Sequence, residues 1–207
     1  MTSLKRNSLI VALLGTLCAS GAPVALAQDT NVQFRQLAAD IARLQAEVSS
    51  YEAENAIENL QRIFGFYIDK QLWAQAADLF ADDASMEVGG EGVYRGKTRI
   101  LEYLALQGPE GPQAGILNDH MQLQPVVHVY GDGTARARWH HFSQEARFGV
   151  DHYWGTGIYE NDYVLEDGVW KIKSLHLYSS MRTPYEDGWA VTALPRSIPS
   201  TVLPPDA

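Results

Sequence analysis

The chain has a single cysteine, Cys18, among 207 residues. Lys5 and Arg6 precede an apolar run from Leu9 to Cys18, and Ala25-Leu26-Ala27 follows as a small-x-small cleavage site. That is the layout of a secretory signal peptide, which predicts a periplasmic or secreted protein. The apolar run is too short to cross a bilayer as a stable helix, and Leu17 is bulky where lipid attachment to Cys18 requires a small residue. Removal of residues 1–27 leaves 180 residues without cysteine. Disulfides, thiol catalysis and thiolate metal sites are thereby excluded for the mature chain. Its stability must come from burial, which a chain of this length can supply within one domain.

Positive charge is also scarce. The whole chain has 16 Lys and Arg against 25 Asp and Glu, and the leader holds two of the former and none of the latter. The mature chain therefore sets 14 basic against 25 acidic residues, a net charge of −11. Nucleic acid and anionic membrane surfaces both attract basic patches and are disfavoured as partners. A small uncharged or cationic ligand is not.

A metal motif is missing as well. His120 and His128 are eight residues apart on one expected strand, or about 26 Å at 3.3 Å per residue, and cannot share an ion. No His-Glu-x-x-His helix replaces them, so no metal is expected.

What is present divides into helical and then extended patterns. Phe34, Leu37, Ile41, Leu44, Val48 and Tyr51 alternate three and four apart, as on one side of a helix. The stripe suits either packing on the chain's own body or self-association. Ile57, Leu60, Ile63, Phe64, Tyr67 and Ile68 continue with helical spacing, and "LWAQAADLFADDA" predicts a further helix. "SMEVGGEGVYRG" reads as a short strand and hairpin, and "KTRILEYLALQ" as another helix, stopped at Gly108-Pro109. From His120 the period becomes two, with strands expected near 120–130, 133–146, 153–165 and 169–180. Helices first and an antiparallel sheet afterwards is an α+β arrangement. The expected divisions are a leader at 1–27, an amphipathic helix at 28–50, a main domain at 51–182 and a Pro-rich extended arm at 183–207.

Alternation assigns the faces of two strands. In "ARARWHHFSQE", Ala135, Ala137, Trp139, His141 and Ser143 share the expected inward face, and Arg136, Arg138 and His140 the outward one. In the last strand, Trp170, Ile172, Ser174, His176 and Tyr178 share a face resembling a pocket wall. Each histidine is equally readable as a hydrogen-bonded structural residue.

"IENLQRIFGFYIDKQLWAQAADLFADDASMEV", "GVYRGKTRILEYL", "LNDHMQLQPVVHV" and "YENDYVLEDGVWKIKSLHLY" resemble the SnoaL-like branch of the nuclear-transport-factor-2-like superfamily over residues 51–182. The resemblance implies a cone-shaped, curved antiparallel sheet wrapped by three helices, here with an extra N-terminal helix and a C-terminal arm. "YIDKQLW" is similar to the scytalone dehydratase stretch with a catalytic aspartate four residues before a tryptophan, which implies that role for Asp69. "NDHMQL" is similar to its strand bearing the catalytic histidine, which implies that role for His120. Where that dehydratase carries a serine and an asparagine, "WGTGIYEN" has Gly157 and Tyr159, a departure that argues against scytalone itself as substrate. Resemblance to bile-acid dehydratases adds Tyr67 and Arg182 as approximate counterparts of a tyrosine and an arginine.

The resemblance implies a cofactor-independent lyase or isomerase acting on a small apolar, hydroxylated and aromatic compound. Asp69 would orient His120, His120 would remove a proton, and Tyr67 would donate to the departing or developing oxyanion. Proton transfer with electrostatic stabilisation needs no cofactor, as ketosteroid isomerase illustrates. Dehydration is the first expectation. Carbon–carbon cleavage with aldehyde loss, as in SnoaL-like lyases acting on lignin-derived compounds, uses the same groups. Trp73, Trp139, Tyr153 and Tyr178 would favour flat rings, with His141, His176 and Arg182 completing the expected binding set. The alternative is a non-catalytic periplasmic binding or assembly protein, and a homodimer or homotrimer is expected on either reading.

Overall fold

The computed structural model describes residues 22–192 and 197–207, with side chains from residue 30 onward. The first 21 positions of the expected leader lie outside the described residues. No described helix is long and apolar enough to cross a membrane.

The chain divides into two units, Met1–Ala46 and Glu47–Ala207. One helix, α1, runs from Ala22 to Asp69, carrying both helical patterns without a break. Phe34, Leu37, Ile41, Leu44, Val48 and Tyr51 are 47–66% exposed along it.

The second unit holds the end of α1, α2 (Trp73–Asp78), β1 (Phe80–Val88), β2 (Gly92–Arg95), α3 (Lys97–Ala105), β3 (Ile116–Val129), β4 (Thr134–Arg147), β5 (Asp151–Glu166) and β6 (Val169–Pro184). The strands form one curved sheet in the order β2-β1-β6-β5-β4-β3. The sheet was expected to be antiparallel. Instead the sheet is mixed, because β1 returns parallel to β6. The helix expected over "LWAQAADLFADDA" stops at Asp78, and Phe80 to Ala84 belong to β1. Pairing with β6 and burial of Phe80, Ala81 and Ala84 outweigh the helical spacing there.

Ile57, Leu60 and Phe64 of α1 pack with Trp73, Ile100 and Leu104 of the other helices against the inner sheet face. That face is built by alternation. On β4, Ala135, Ala137, Trp139, His141 and Ser143 are buried and Arg136, Arg138 and His140 exposed. On β5, Gly155, Gly157, Tyr159, Asn161 and Tyr163 point inward. The C-terminal segment extends the sheet edge: Val93 N–H donates to the Ala207 carbonyl at 3.0 Å, and Asp206 N–H donates to the Val93 carbonyl at 2.8 Å.

Register shifts change which face a side chain takes. Between Leu123 and Val126 the register of β3 against β4 shifts, with Gln124 at φ 49°. His120 and Gln122 therefore point inward, while beyond the bulge Val127 and Val129 do so and His128 turns outward. β6 shifts against β5 between Asp162 and Tyr163, so that Ile172 and then Leu175 face the core. The single face expected to join Ile172 to His176 and Tyr178 is split at that point.

Candidate functional site

The site starts at the end of α1. Gln71, at φ 55°, closes the helix: its N–H donates to the Ile68 carbonyl at 3.0 Å, and that of Leu72 to the Tyr67 carbonyl at 2.9 Å. This cap holds Asp69 in the last turn. A carboxylate is electrostatically disfavoured at a helix C-terminus, so its placement requires donors elsewhere. His120 supplies them: its backbone N–H donates to Asp69 Oδ1 at 2.7 Å, and ring Nδ1 lies 3.2 Å from the same oxygen. Contact is close enough that a Cβ on Gly65 would lie 2.9 Å from the His120 carbonyl. Only glycine lets α1 approach β3 there.

With Asp69 accepting from Nδ1–H, the neutral imidazole keeps its lone pair on Nε2. His120 lines a cavity of about 470 Å³, enough for a small organic molecule. His141 stacks on it, with ring centroids 5.5 Å apart and planes 14° apart. His141 is 8% exposed, and its Nε2 has no hydrogen-bond partner among the described residues. Burial, reinforced by the neighbouring His120 and opposed by Asp69, pushes its pKa down from 6.5 to about 4. It is therefore a neutral imidazole in the neutral pH range.

Tyr159 completes this corner. Its ring meets His141 edge-on at 5.4 Å, and its hydroxyl bonds to Gln122. Burial pushes its pKa well up, so it remains a neutral phenol. Gln122 also donates to the His120 carbonyl at 3.3 Å and accepts from Gln61 at 3.0 Å. Gln61 is fully buried, and its Oε1 accepts from Asn161 Nδ2 and the Tyr163 hydroxyl, both at 2.9 Å. A polar chain thus runs from the core to His120.

Trp73, Phe64 and Met86 form apolar wall, and Trp73 is fixed by Nε1 donating to the Gly108 carbonyl at 2.9 Å. Gly155 lines the sheet side of the cavity, and Gly157 lets β6 pack closely against β5. A Cβ on Gly157 would lie 2.6 Å from the Tyr178 carbonyl.

Of the expected site residues, the structure gathers His120, Trp73, His141 and Arg182 around the cavity, with Asp69 bonded behind His120. Tyr153 lies beside them, its ring 4.0 Å beneath the Arg182 guanidinium. The others lie elsewhere. Tyr67 packs partly buried against the core rather than on the cavity wall. Trp139 is a core residue donating to the Tyr163 hydroxyl at 3.1 Å. The β6 bulge carries His176 and Tyr178 to the opposite sheet face, where they stack at 3.8 Å and His176 meets Glu87 at 3.2 Å. Sequence reading passed over Gln61, Glu91, Tyr103, Glu145 and Tyr159 as site groups. The inward alternation of "WHHFSQE", continued two residues past Ser143, would have reached Glu145. Among the described residues, no group of three or more His, Cys, Asp or Glu side chains could hold a metal ion.

The SnoaL-like domain family matches residues 49–176. The chain belongs to this family. No curated protein matches it significantly. Among solved structures, this SnoaL-like chain is similar to a protein provisionally named scytalone dehydratase from Novosphingobium aromaticivorans. Identity is 18%, the TM-score is 0.59, and the match covers 73% of this chain and 95% of the other. It is also similar to LinA, at 18% identity, a TM-score of 0.60, and 72% and 99% coverage. ActVI-ORFA from Streptomyces coelicolor matches at 14% identity, a TM-score of 0.55, and 62% and 98% coverage. At these identities the likeness is one of fold, within the nuclear-transport-factor-2-like superfamily.

Proposed function

We propose that the protein is a cofactor-independent lyase that removes water from a small, uncharged, hydroxylated aromatic compound. The observation that carries this reading is the Asp69–His120 pair, bonded through both the backbone N–H and Nδ1 of His120 at a cavity large enough for such a compound. Dehydration needs a base for the proton on carbon and a donor for the departing hydroxyl. His120 Nε2 takes the proton as the C–H pair becomes the new C=C bond, and the resulting imidazolium is stabilised by Asp69. The C–O bond breaks, and the same imidazolium protonates the leaving oxygen, so that water departs and the neutral ring is restored. His141 and the Tyr159 hydroxyl lie beside this centre and serve as neutral hydrogen-bonding groups for developing charge on oxygen. This replaces Tyr67, which does not line the cavity. Phe64, Trp73 and Met86 suit a flat apolar body.

Support also comes from membership in a family whose fold neighbours include proteins named as a dehydratase and a dehydrochlorinase. Carbon–carbon cleavage with aldehyde release would use the same base. The test is incubation with a panel of benzylic alcohols and diaryl compounds in the presence of a chelator, with products read by mass spectrometry. A product lighter by one water is expected. Exclusive aldehyde release would overturn dehydration in favour of the cleavage reaction, and turnover abolished by the chelator would contradict the metal-free mechanism.

A further inference from the structure

The cavity carries charge that the elimination does not use. Glu91, Glu145 and Arg182 line it. Among the described residues, Arg182 is the one Lys or Arg on its wall. Glu91 accepts from the Tyr103 hydroxyl at 2.8 Å. Glu145 is held on both oxygens: Ser143 Oγ donates to Oε1 at 3.3 Å, and Arg182 Nη2 donates to Oε2 at 3.2 Å. The two side chains are 31% and 39% exposed, so the pair reaches solvent on one side.

The sheet register builds this pair. Ser143, Gly155 and Arg182 are lateral neighbours on β4, β5 and β6. A Cβ on Gly155 would lie 2.9 Å from Ser143 Oγ and 3.1 Å from the Met181 carbonyl. Its absence lets the Ser143 hydroxyl and the Met181 carbonyl close in on β5 there. Tyr153 supports the guanidinium from the other side at 4.0 Å.

A lone guanidinium in a pocket with apolar walls is a receptor for a carboxylate, which it binds through paired N–H donors. Here a carboxylate of the protein already occupies it. An incoming carboxylate would have to displace Glu145 or lie beside it, with Glu91 adding like charge on the same wall. A neutral hydroxyl meets no such opposition.

We infer that Glu145 is a specificity-determining residue, which by engaging Arg182 restricts the cavity to uncharged hydroxylated compounds and excludes their carboxylated analogues. This rests on the cavity being the binding site for an aromatic compound, as in the function proposed above.

The experiment is isothermal titration calorimetry near neutral pH with two probes of similar shape, 4-hydroxybenzyl alcohol and 4-hydroxybenzoate. The wild-type protein is expected to prefer the alcohol. Glu145→Gln is expected to raise affinity for 4-hydroxybenzoate by about tenfold and to leave that for the alcohol within about twofold. Glu145→Ala, which changes the packing differently but removes the same charge, should shift the ratio in the same direction. Adding Arg182→Gln to Glu145→Gln should abolish the gain. An unchanged ratio in both Glu145 variants, with both probes bound, would overturn the role of Glu145 while leaving the cavity reading intact. Failure of the wild type and the variants to bind either probe would overturn the cavity reading and this inference together.

Discussion

At the scale of single residues, burial keeps a titratable ring beside His120 neutral. His141 is buried and neutral, with its pKa lowered to about 4 from an ordinary 6.5. In the unfolded chain it takes up a proton as pH falls through about 6.5, whereas the folded protein resists until about 4. The unfolded state binds more protons in this window, so stability from the buried neutral ring is complete above it and is lost on acidification. Two to three pKa units correspond to about 3 kcal/mol. Urea unfolding should therefore show the wild type losing about 2–3 kcal/mol more than His141→Gln between about pH 7 and 4.5. Parallel pH profiles for the two proteins would contradict a neutral buried His141.

Gln61 has a different task. Its amide satisfies Asn161, Tyr163 and Gln122 in a place without solvent. Gln61→Leu would keep the volume and strand those partners, at an expected cost of about 2–3 kcal/mol in chemical denaturation. A loss below about 0.5 kcal/mol would mean that the network relaxes without it.

At the scale of elements, the close approach of α1 and β3 is what creates the dyad. Helix propensity alone predicts that Gly65→Ala stabilises an internal helical position by about 1 kcal/mol. The backbone carbonyl of His120 at 2.9 Å and Gln122 Cγ at 3.1 Å predict the reverse, because the strand must retreat from the helix. The variant should lose about 1–2 kcal/mol in thermal unfolding, and a raised melting temperature would refute the tight contact.

The same elements explain what could be read without coordinates. "YIDKQLW" and "NDHMQL" are local patterns, and each sits at an element boundary where a polar residue stands out. Faces on uninterrupted β4 followed from alternation, as Trp139, His141 and Ser143 illustrate. Beyond a bulge, alternation misleads: one unpaired residue inverts every later side chain, which is how His176 and Tyr178 came to be expected in the cavity. Trp139 was placed on the correct face but at the wrong depth, since distance along β4 and not face separates core from cavity. Gln61 was hidden for another reason. Its partners lie 61 to 102 positions away in the chain, and no local period reports such a meeting.

At the scale of the whole molecule, a curved sheet and a few helices would ordinarily close on a filled core. Here the core is filled at the Trp139, Asn161 and Tyr163 end, and space opens beside Gly155 of β5. The Asp69–His120 pair stands at that opening. The α+β class and the SnoaL-like resemblance over residues 51–182 were legible before the cavity was, whereas the parallel pairing of β1 with β6 was not. The cavity itself is lined by residues from helices and strands far apart in the chain, and no local pattern announces which of them meet.

The account turns on Asp69 and His120 acting as one unit without a metal. The measurement that tests it most directly is kcat/KM of the wild type, His120→Ala and Asp69→Asn on a hydroxylated aromatic that the protein converts, with chelator present throughout. His120→Ala is expected to lose about 1,000-fold and Asp69→Asn about 100-fold, with fold and melting behaviour retained. Retention of activity within about tenfold in His120→Ala would contradict the account, whatever the substrate proves to be.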